Sequence, residues 1–146
     1  MRCEELMTRN PKCCVPSDSA TRVARMMKIE DVGSLPVCSS SESRRLVGIV
    51  TDRDLCLEIV AEGRDPSRTT IESCMTRDPV TCRVDEDMET ALDRMEASQI
   101  RRIPVVDRSG MLVGIIAQAD IATRARSPQK TAEVVAQISR PSGGNS

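Results

Sequence analysis

The segment Met7-Thr8-Arg9-Asn10-Pro11 recurs, with one side chain altered, as Met75-Thr76-Arg77-Asp78-Pro79, and the residues after each copy correspond as well. The copies stand 68 positions apart (Met7 to Met75), so that Cys14 meets Cys82, Met27 meets Met95, and Leu35-Pro36-Val37 meets Ile103-Pro104-Val105. After a two-residue deletion, Leu46-Val47-Gly48-Ile49-Val50 meets Leu112-Val113-Gly114-Ile115-Ile116 and Asp54 meets Asp120. A fixed period of this kind constrains the fold before any local signal does. Each unit is roughly 55 residues, too few to bury a comfortable core alone. The copies are therefore expected to pack on each other as a pseudo-twofold module, and the module to form a homodimer. By residue number, the first unit is 1–63, a linker 64–70, the second unit 71–126, and a C-terminal extension 127–146.

Hydrophobic spacing places the elements. Ala20, Val23, Ala24 and Met27, like Met88, Ala91, Leu92 and Met95, share one helical face. Ser17 or Asp18 in one copy, and Asp85 or Asp87 in the other, are candidate helix caps. Short strands precede each helix, near residues 12–15 and 80–84. A hairpin follows each helix, 35–38 with 46–50 and 103–106 with 111–116. A second helix closes each unit, carrying Leu55, Cys56, Ile59 and Val60 up to Gly63 in one copy and running from about Gln118 to Arg126 in the other. The order β-α-β-β-α, twice, defines a mixed α/β (α+β) fold. A short helix over 131–138 and then a disordered tail are expected at the end.

Composition removes several function classes. With 21 Lys+Arg against 22 Asp+Glu, no broad field attracts nucleic acid or anionic lipid. Arg44-Arg45 and Arg101-Arg102 read as solvated pairs. The chain has no Phe, Tyr or Trp, and so lacks the stacking platforms of single-strand binders. It has no His either, which removes Ser/His and Cys/His catalysis and the commonest metal ligand. No catalytic residues, metal ligands or required cofactor are assigned. No apolar run is long enough to span a membrane, and a cytoplasmic location is the default. The odd count of seven cysteines argues against a disulfide framework. Cys38 and Cys56 read as small core residues.

Gly48-Ile49-Val50-Thr51-Asp52-Arg53-Asp54 runs from a buried strand directly into a helix N-terminus. Such a junction favours an anion through its N–H groups and helix dipole. Thr51 can bond a phosphate or hydroxyl, Arg53 can pair with a phosphate, and Asp54 offers two acceptors to a ribose. Thr51-x-x-Asp54 is equally close to a capping box, which would satisfy the helix end with no ligand at all.

These units, each with a Leu/Ile-Pro-Val strand and a Gly-x-x-x-x-x-Asp junction, resemble a tandem cystathionine β-synthase (CBS) domain pair, the Bateman module. The resemblance extends from about Cys3 to Arg126, and more narrowly to small stand-alone bacterial CBS proteins. It implies a non-catalytic regulatory module that binds an adenosine-containing ligand, AMP, ADP, ATP or S-adenosylmethionine, in a cleft between the copies. Carried over by position, Thr51 and Asp54, with Asp52 and Arg53, would hold phosphate and ribose. The backbone at Ser34, Leu35 and Pro36 would read the adenine edge, and Lys12, Cys13, Cys14 and Val15 would line the base pocket. Without aromatic residues, Val15, Leu35 and Ile49 would sandwich the base. A second, weaker site would comprise Asp120, Gln118, Arg102, Ile103 and Pro104, because Ala117 replaces Thr51 and Arg101-Arg102 replace Gly33-Ser34. The client protein is not identified by the sequence. Two alternatives remain open: a ligand-free dimerisation scaffold, and a thiol-based redox sensor using Cys13, Cys14 or Cys82, in which Cys14 and Cys82 approach one another.

Overall fold

The computed structural model describes residues 1–124. The expected helix over 131–138, the tail, and the last two residues of the expected helix ending at Arg126 lie outside the described residues. The elements in chain order are α1 (Cys3–Leu6), β1 (Thr8–Arg9), α2 (Ala20–Glu30), β2 (Ser34–Cys38), β3 (Leu46–Thr51), α3 (Asp52–Leu55), β4 (Thr76–Arg77), β5 (Cys82–Arg83), α4 (Met88–Ser98), β6 (Arg102–Val106), β7 (Leu112–Ala117) and α5 (Gln118–Arg124). A π-helical stretch, Cys56–Val60, extends α3, and a 3-10 turn, Ile71–Ser73, precedes β4.

The compact units do not coincide with the sequence repeats. One unit is Lys12–Pro79; the other joins Met1–Pro11 to the described residues from Val80 to 124. The opening motif of each copy therefore serves the sheet of the other. In the Lys12–Pro79 unit the sheet order is β2-β3-β4, with Gly48 opposite Arg77 and Ile49 opposite Thr76. In the second unit the order is β1-β7-β6-β5, with Gly114 opposite Arg9 and Ile115 opposite Thr8. These short edge strands were not among the expected elements; two residues are too few to show a period. Each strand ends at a left-handed residue, Asn10 (φ 50°) or Asp78 (φ 50°). Asn and Asp tolerate that region better than other side chains, which accounts for the one altered residue in the motif.

The strand expected over residues 12–15 is reduced to a single parallel bridge between Cys14 and Val37. Its counterpart is the two-residue β5, parallel to β6. Both hairpins form as expected, and each has a register shift at the same place, Val37/Cys38 and Val105/Val106.

The helices bury the expected faces, Ala20, Val23 and Met27 in α2 and Met88, Ala91, Leu92 and Met95 in α4. The cap of α2 is Ser19, whose Oγ accepts the Arg22 N–H at 3.1 Å, rather than Ser17 or Asp18. Asp18 is occupied one step earlier, closing the preceding turn by accepting the Val15 N–H at 2.9 Å. Glu86 does the same for Arg83 at 2.8 Å. Both helices end in a left-handed residue, Asp31 (φ 54°) and Gln99 (φ 55°). Beyond α3, the wider π-helical turn changes the buried face. Ile59 is buried, but Cys56 is exposed and Val60 is 72% exposed, so those two are not core residues. Gly63 closes this stretch at φ +66°.

Each unit has its own aliphatic core. Leu92, Met95, Ile103 and Ile116 pack in one, and Val23, Leu35, Val50, Ile59 and Ile71 in the other. Burying each such side chain stabilises by about 1.5–3 kcal/mol, and methionine adapts to gaps that an aromatic ring would otherwise fill.

The docking of β4 on β3 is tight enough to test. A Cβ at Gly48 would stand 2.8 Å from the Thr76 carbonyl oxygen, a backbone atom that cannot swing aside. Gly48→Ala should therefore cost about 1–3 kcal/mol. Gly33→Ala would meet only the Asp52 carboxylate oxygen at 3.1 Å and should cost less. Urea unfolding of the two variants gives the comparison.

Candidate functional site

The hairpin β2–β3 delivers Thr51 to the start of α3, and the local sequence satisfies the helix end from within. Thr51 Oγ1 accepts the Asp54 N–H at 3.0 Å, and Asp54 Oδ2 accepts the Thr51 N–H at 2.9 Å. The capping box is thus formed, and the two residues singled out by the sequence hold each other. That does not use up their chemistry: the Thr51 hydroxyl hydrogen and the second Asp54 oxygen make no further hydrogen bond within the described residues. Both residues are half-buried. Asp52 directs its N–H to the Gly33 carbonyl at 2.9 Å and its Oδ1 accepts the Arg53 N–H at 2.8 Å. Arg53 is exposed at the surface. With two carboxylates at the helix start, a phosphate seated directly on it would meet repulsion; the arrangement suits a ligand that presents hydroxyls there and its phosphate to Arg53.

Ser34 lies across from Thr51 in the hairpin register and is buried. Next to this junction is an open cavity of about 490 Å³, lined by Gly33, Asp52 and Leu55 on one side and by Ala24, Met27, Lys28, Asp31 and Val32 from α2 and its end on the other. The α2 contribution carries no motif and was missed in the sequence; only the helical spacing that puts Ala24, Met27 and Lys28 on adjacent turns hints at it. Of the residues expected at the site, Asp52 reaches this cavity, whereas Thr51, Asp54, Lys12 and Cys13 do not line it.

The expected base-pocket residues are brought together along the free edge of β2. Cys14 donates its N–H to the Pro36 carbonyl at 3.0 Å, and Cys38 returns one to the Cys14 carbonyl at 2.8 Å. Lys12 is exposed, Cys13 and Val15 are half-buried, and Pro36 is buried. Leu35 departs from expectation: its side chain is 2% exposed and belongs to the core, so it cannot sandwich a base.

The second junction has the same backbone and different chemistry. Asp120 Oδ2 accepts the Ala117 N–H at 3.0 Å, the same half of the box, but the hydroxyl half is missing. The Gln118 N–H meets the Arg101 carbonyl at 2.9 Å, as Asp52 meets Gly33. Where Ser34 faces Thr51, Arg102 faces Ala117. The Arg102 guanidinium is partly buried beside the Asp120 charge; burial pulls its pKa below the usual arginine value while that charge opposes the shift. Ile103 and Pro104 are buried in the sheet. The Gln118 Oε1 is sealed from solvent without a hydrogen-bond partner. Neither arginine pair is wholly solvated, since Arg44 and Arg102 turn inward while Arg45 and Arg101 are exposed.

The seven cysteines are all thiols. Cys14 and Cys82 do not bond to each other; each donates to the equivalent carbonyl of its own unit, Pro36 at 3.6 Å and Pro104 at 3.9 Å. Burial, with the Asp18 charge adding, pushes the Cys14 thiol up to about 12. Among the described residues no group of three or more Cys, Asp or Glu side chains is placed to hold a metal ion, and no helix is long and apolar enough to cross a membrane.

Two copies of one sheet-and-helix unit, each ending its hairpin in a carboxylate-capped junction, define the class of tandem regulatory repeats. The CBS domain model matches residues 3–61 and 71–127, and the chain belongs to the CBS domain family. The CBS domain-containing protein YhcV of Bacillus subtilis is 33% identical over 136 residues, spanning 93% of this chain and 94% of that protein. Hypoxic response protein 1 of Mycobacterium tuberculosis is 34% identical over 119 residues, 81% of this chain and 80% of its own. A crystal structure of Hypoxic Response Protein I with two coordinated zinc ions superposes with a TM-score of 0.77 at 31% identity, covering 85% of this chain and 98% of that one. The CBS domain protein PAE2072 of Pyrobaculum aerophilum, complexed with AMP, shares the fold with a TM-score of 0.78 at 24% identity, covering 93% and 99%.

Because Thr51 contributes half of a capping box, Thr51→Ala should cost about 1 kcal/mol of stability. A denaturation midpoint unchanged from wild type would show that the hydroxyl is not needed for the fold.

Proposed function

We propose that this chain is a non-catalytic regulatory module in which the first junction, built on Thr51 and Asp54, binds an adenosine-containing ligand. The observation that carries this reading is the contrast between two otherwise equal junctions. The first keeps a hydroxyl, a small buried Ser34 and an adjoining cavity of about 490 Å³. The second places Arg102 opposite Ala117, and burial lowers that arginine's pKa. A scaffold alone would give no reason for the difference. The AMP carried by PAE2072, a protein of the same fold, supports the choice of ligand class.

The ligand would be bound with one equivalent per chain, its sugar hydroxyls at Thr51 and Asp54 and its phosphate at Arg53. Lys12, Cys13, Val15 and the backbone of β2 would flank the base. Binding would shift the balance between two arrangements of the module and so alter contact with a client protein; a ligand does this only by its difference in affinity for the two. A homodimer in the cytoplasm is the expected working form. Ile29, Leu57 and Val60, which are 78%, 45% and 72% exposed, supply apolar surface for self-association.

Asp54→Asn separates binding from folding, because an amide oxygen can still accept the Thr51 N–H. We expect the variant to keep the wild-type unfolding midpoint without ligand and to lose at least tenfold in affinity, while Asp120→Asn leaves binding unchanged. In a thermal-shift series with AMP, ADP, ATP and S-adenosylmethionine, wild type at a hundred times the dissociation constant should gain about 2.7 kcal/mol. No gain with any of the four would leave the scaffold reading instead. With no Tyr or Trp in the chain, absorbance near 260 nm in nucleic-acid-free protein reports co-purified nucleotide directly.

A further inference from the structure

The Cys13 and Cys38 thiols are close enough to influence each other's ionisation, and Arg44 donates from Nη1 to Cys13 Sγ at 3.2 Å. The backbone imposes this meeting. The bond from Cys38 N–H to the Cys14 carbonyl, at 2.8 Å, ties the two segments together. The register shift at Val37/Cys38 re-aims the end of β2, and the loop that follows brings Arg44 back over the pair. Cys13 is half-exposed, whereas Cys38 is fully buried.

The repeat supplies an internal control. The positions equivalent to Cys13 and Cys38 are Thr81 and Val106, yet the second hairpin closes with the same register. Its shorter turn turns Arg108 toward Asp85 at 3.9 Å. The fold therefore has no need of two thiols and a guanidinium here. The Cys3 and Cys82 thiols also influence each other, but both are 0% exposed, which closes them to reagents, and among the described residues no arginine donates to either sulfur.

We propose that Cys13 and Cys38 are a redox modification site, with Cys13 the attacking thiolate and Cys38 the resolving thiol of a reversible disulfide. The neighbouring Cys38 thiol draws the Cys13 thiol down to about 6, against burial and with help from the Arg44 charge, so that it is ionised at neutral pH. The oxidant is a peroxide. The Cys13 thiolate attacks one peroxide oxygen, the O–O bond breaks, and the leaving hydroxide takes a proton to become water. Cys38 then attacks the Cys13 sulfenic sulfur, the S–O bond breaks, and hydroxide leaves with the Cys38 proton as a second water. Two thiols lose two electrons and one peroxide becomes two waters. A small thiol reverses the step by exchange at the exposed Cys13 sulfur.

The test is mass mapping of the wild-type protein after stoichiometric hydrogen peroxide. The expected product is lighter by about 2 Da, with tryptic peptide 13–22 joined to peptide 29–44. Cys14→Ser, which removes the other cysteine of the first peptide, should keep the link; Cys13→Ser and Cys38→Ala should abolish it. Iodoacetamide should label Cys13 first, with its rate half-maximal near pH 6, and Arg44→Gln should move that profile upward and slow disulfide formation severalfold. The proposal is overturned if oxidised wild type shows all seven thiols free, if the link joins Cys3 to Cys82 instead, or if Cys13 alkylation follows an ordinary thiol near 8.5. The wild-type map and the Arg44→Gln profile decide the matter even where a cysteine variant fails to fold.

Discussion

Everything in this molecule depends on the two-residue edge strands that the opening motif lends to the opposite sheet. β4 lies on β3 and β1 on β7, each over the glycine of a Leu-Val-Gly-Ile hairpin strand. Glycine is needed there because the approach is close: a side chain at Gly48 would collide with the Thr76 carbonyl, and one at Gly114 with Met7. Neither sheet is complete using its own repeat. The duplication is thus built into the fold, and a single copy excised at the sequence boundaries would carry a motif with nowhere to pair.

On that common scaffold the two junctions have diverged by exchange of volume and charge at fixed backbone. Ser34 opposite Thr51 and Arg102 opposite Ala117 occupy the same register positions, and both aspartates accept the same strand N–H. The carboxylate is thus partly structural in both copies. What sets the first copy apart is the Thr51 hydroxyl and the small Ser34 opposite it, where the second copy has Ala117 and Arg102. A similar economy holds at the free edge of β2. Its backbone pairing with Cys14 has a counterpart in β5 and β6, but the Cys13, Cys38 and Arg44 side chains have none.

Much of this was legible in the residues. The helical faces of Val23 and Met27, and of Leu92 and Met95, follow from spacing, because burial of one face is what a 3.6-residue period encodes. The hairpins, the left-handed stop at Gly63 and the Thr51 box are likewise local. The misses have separate causes. Cys56 and Val60 read as core because the period was extended through a stretch that is π-helical. Ser19 was overlooked as the cap because Asp18, one residue earlier, is the stronger local acceptor and is used for a different turn. Leu35 was assigned to a ligand although its side chain faces the core, which a residue type alone does not reveal.

The sequence by itself determined that the chain is a duplicated α+β unit with aliphatic cores, that histidine and aromatic chemistry are absent, and that the two junctions differ. These are matters of inventory, period and register, which pairwise comparison of the copies exposes. Only the tertiary structure decided which copy completes which sheet, which arginine of each pair turns inward, and that Cys13 meets Cys38 rather than its neighbour Cys14. Those outcomes depend on contacts between residues far apart in the chain, set by a strand pairing of two residues, too short to leave a periodic trace.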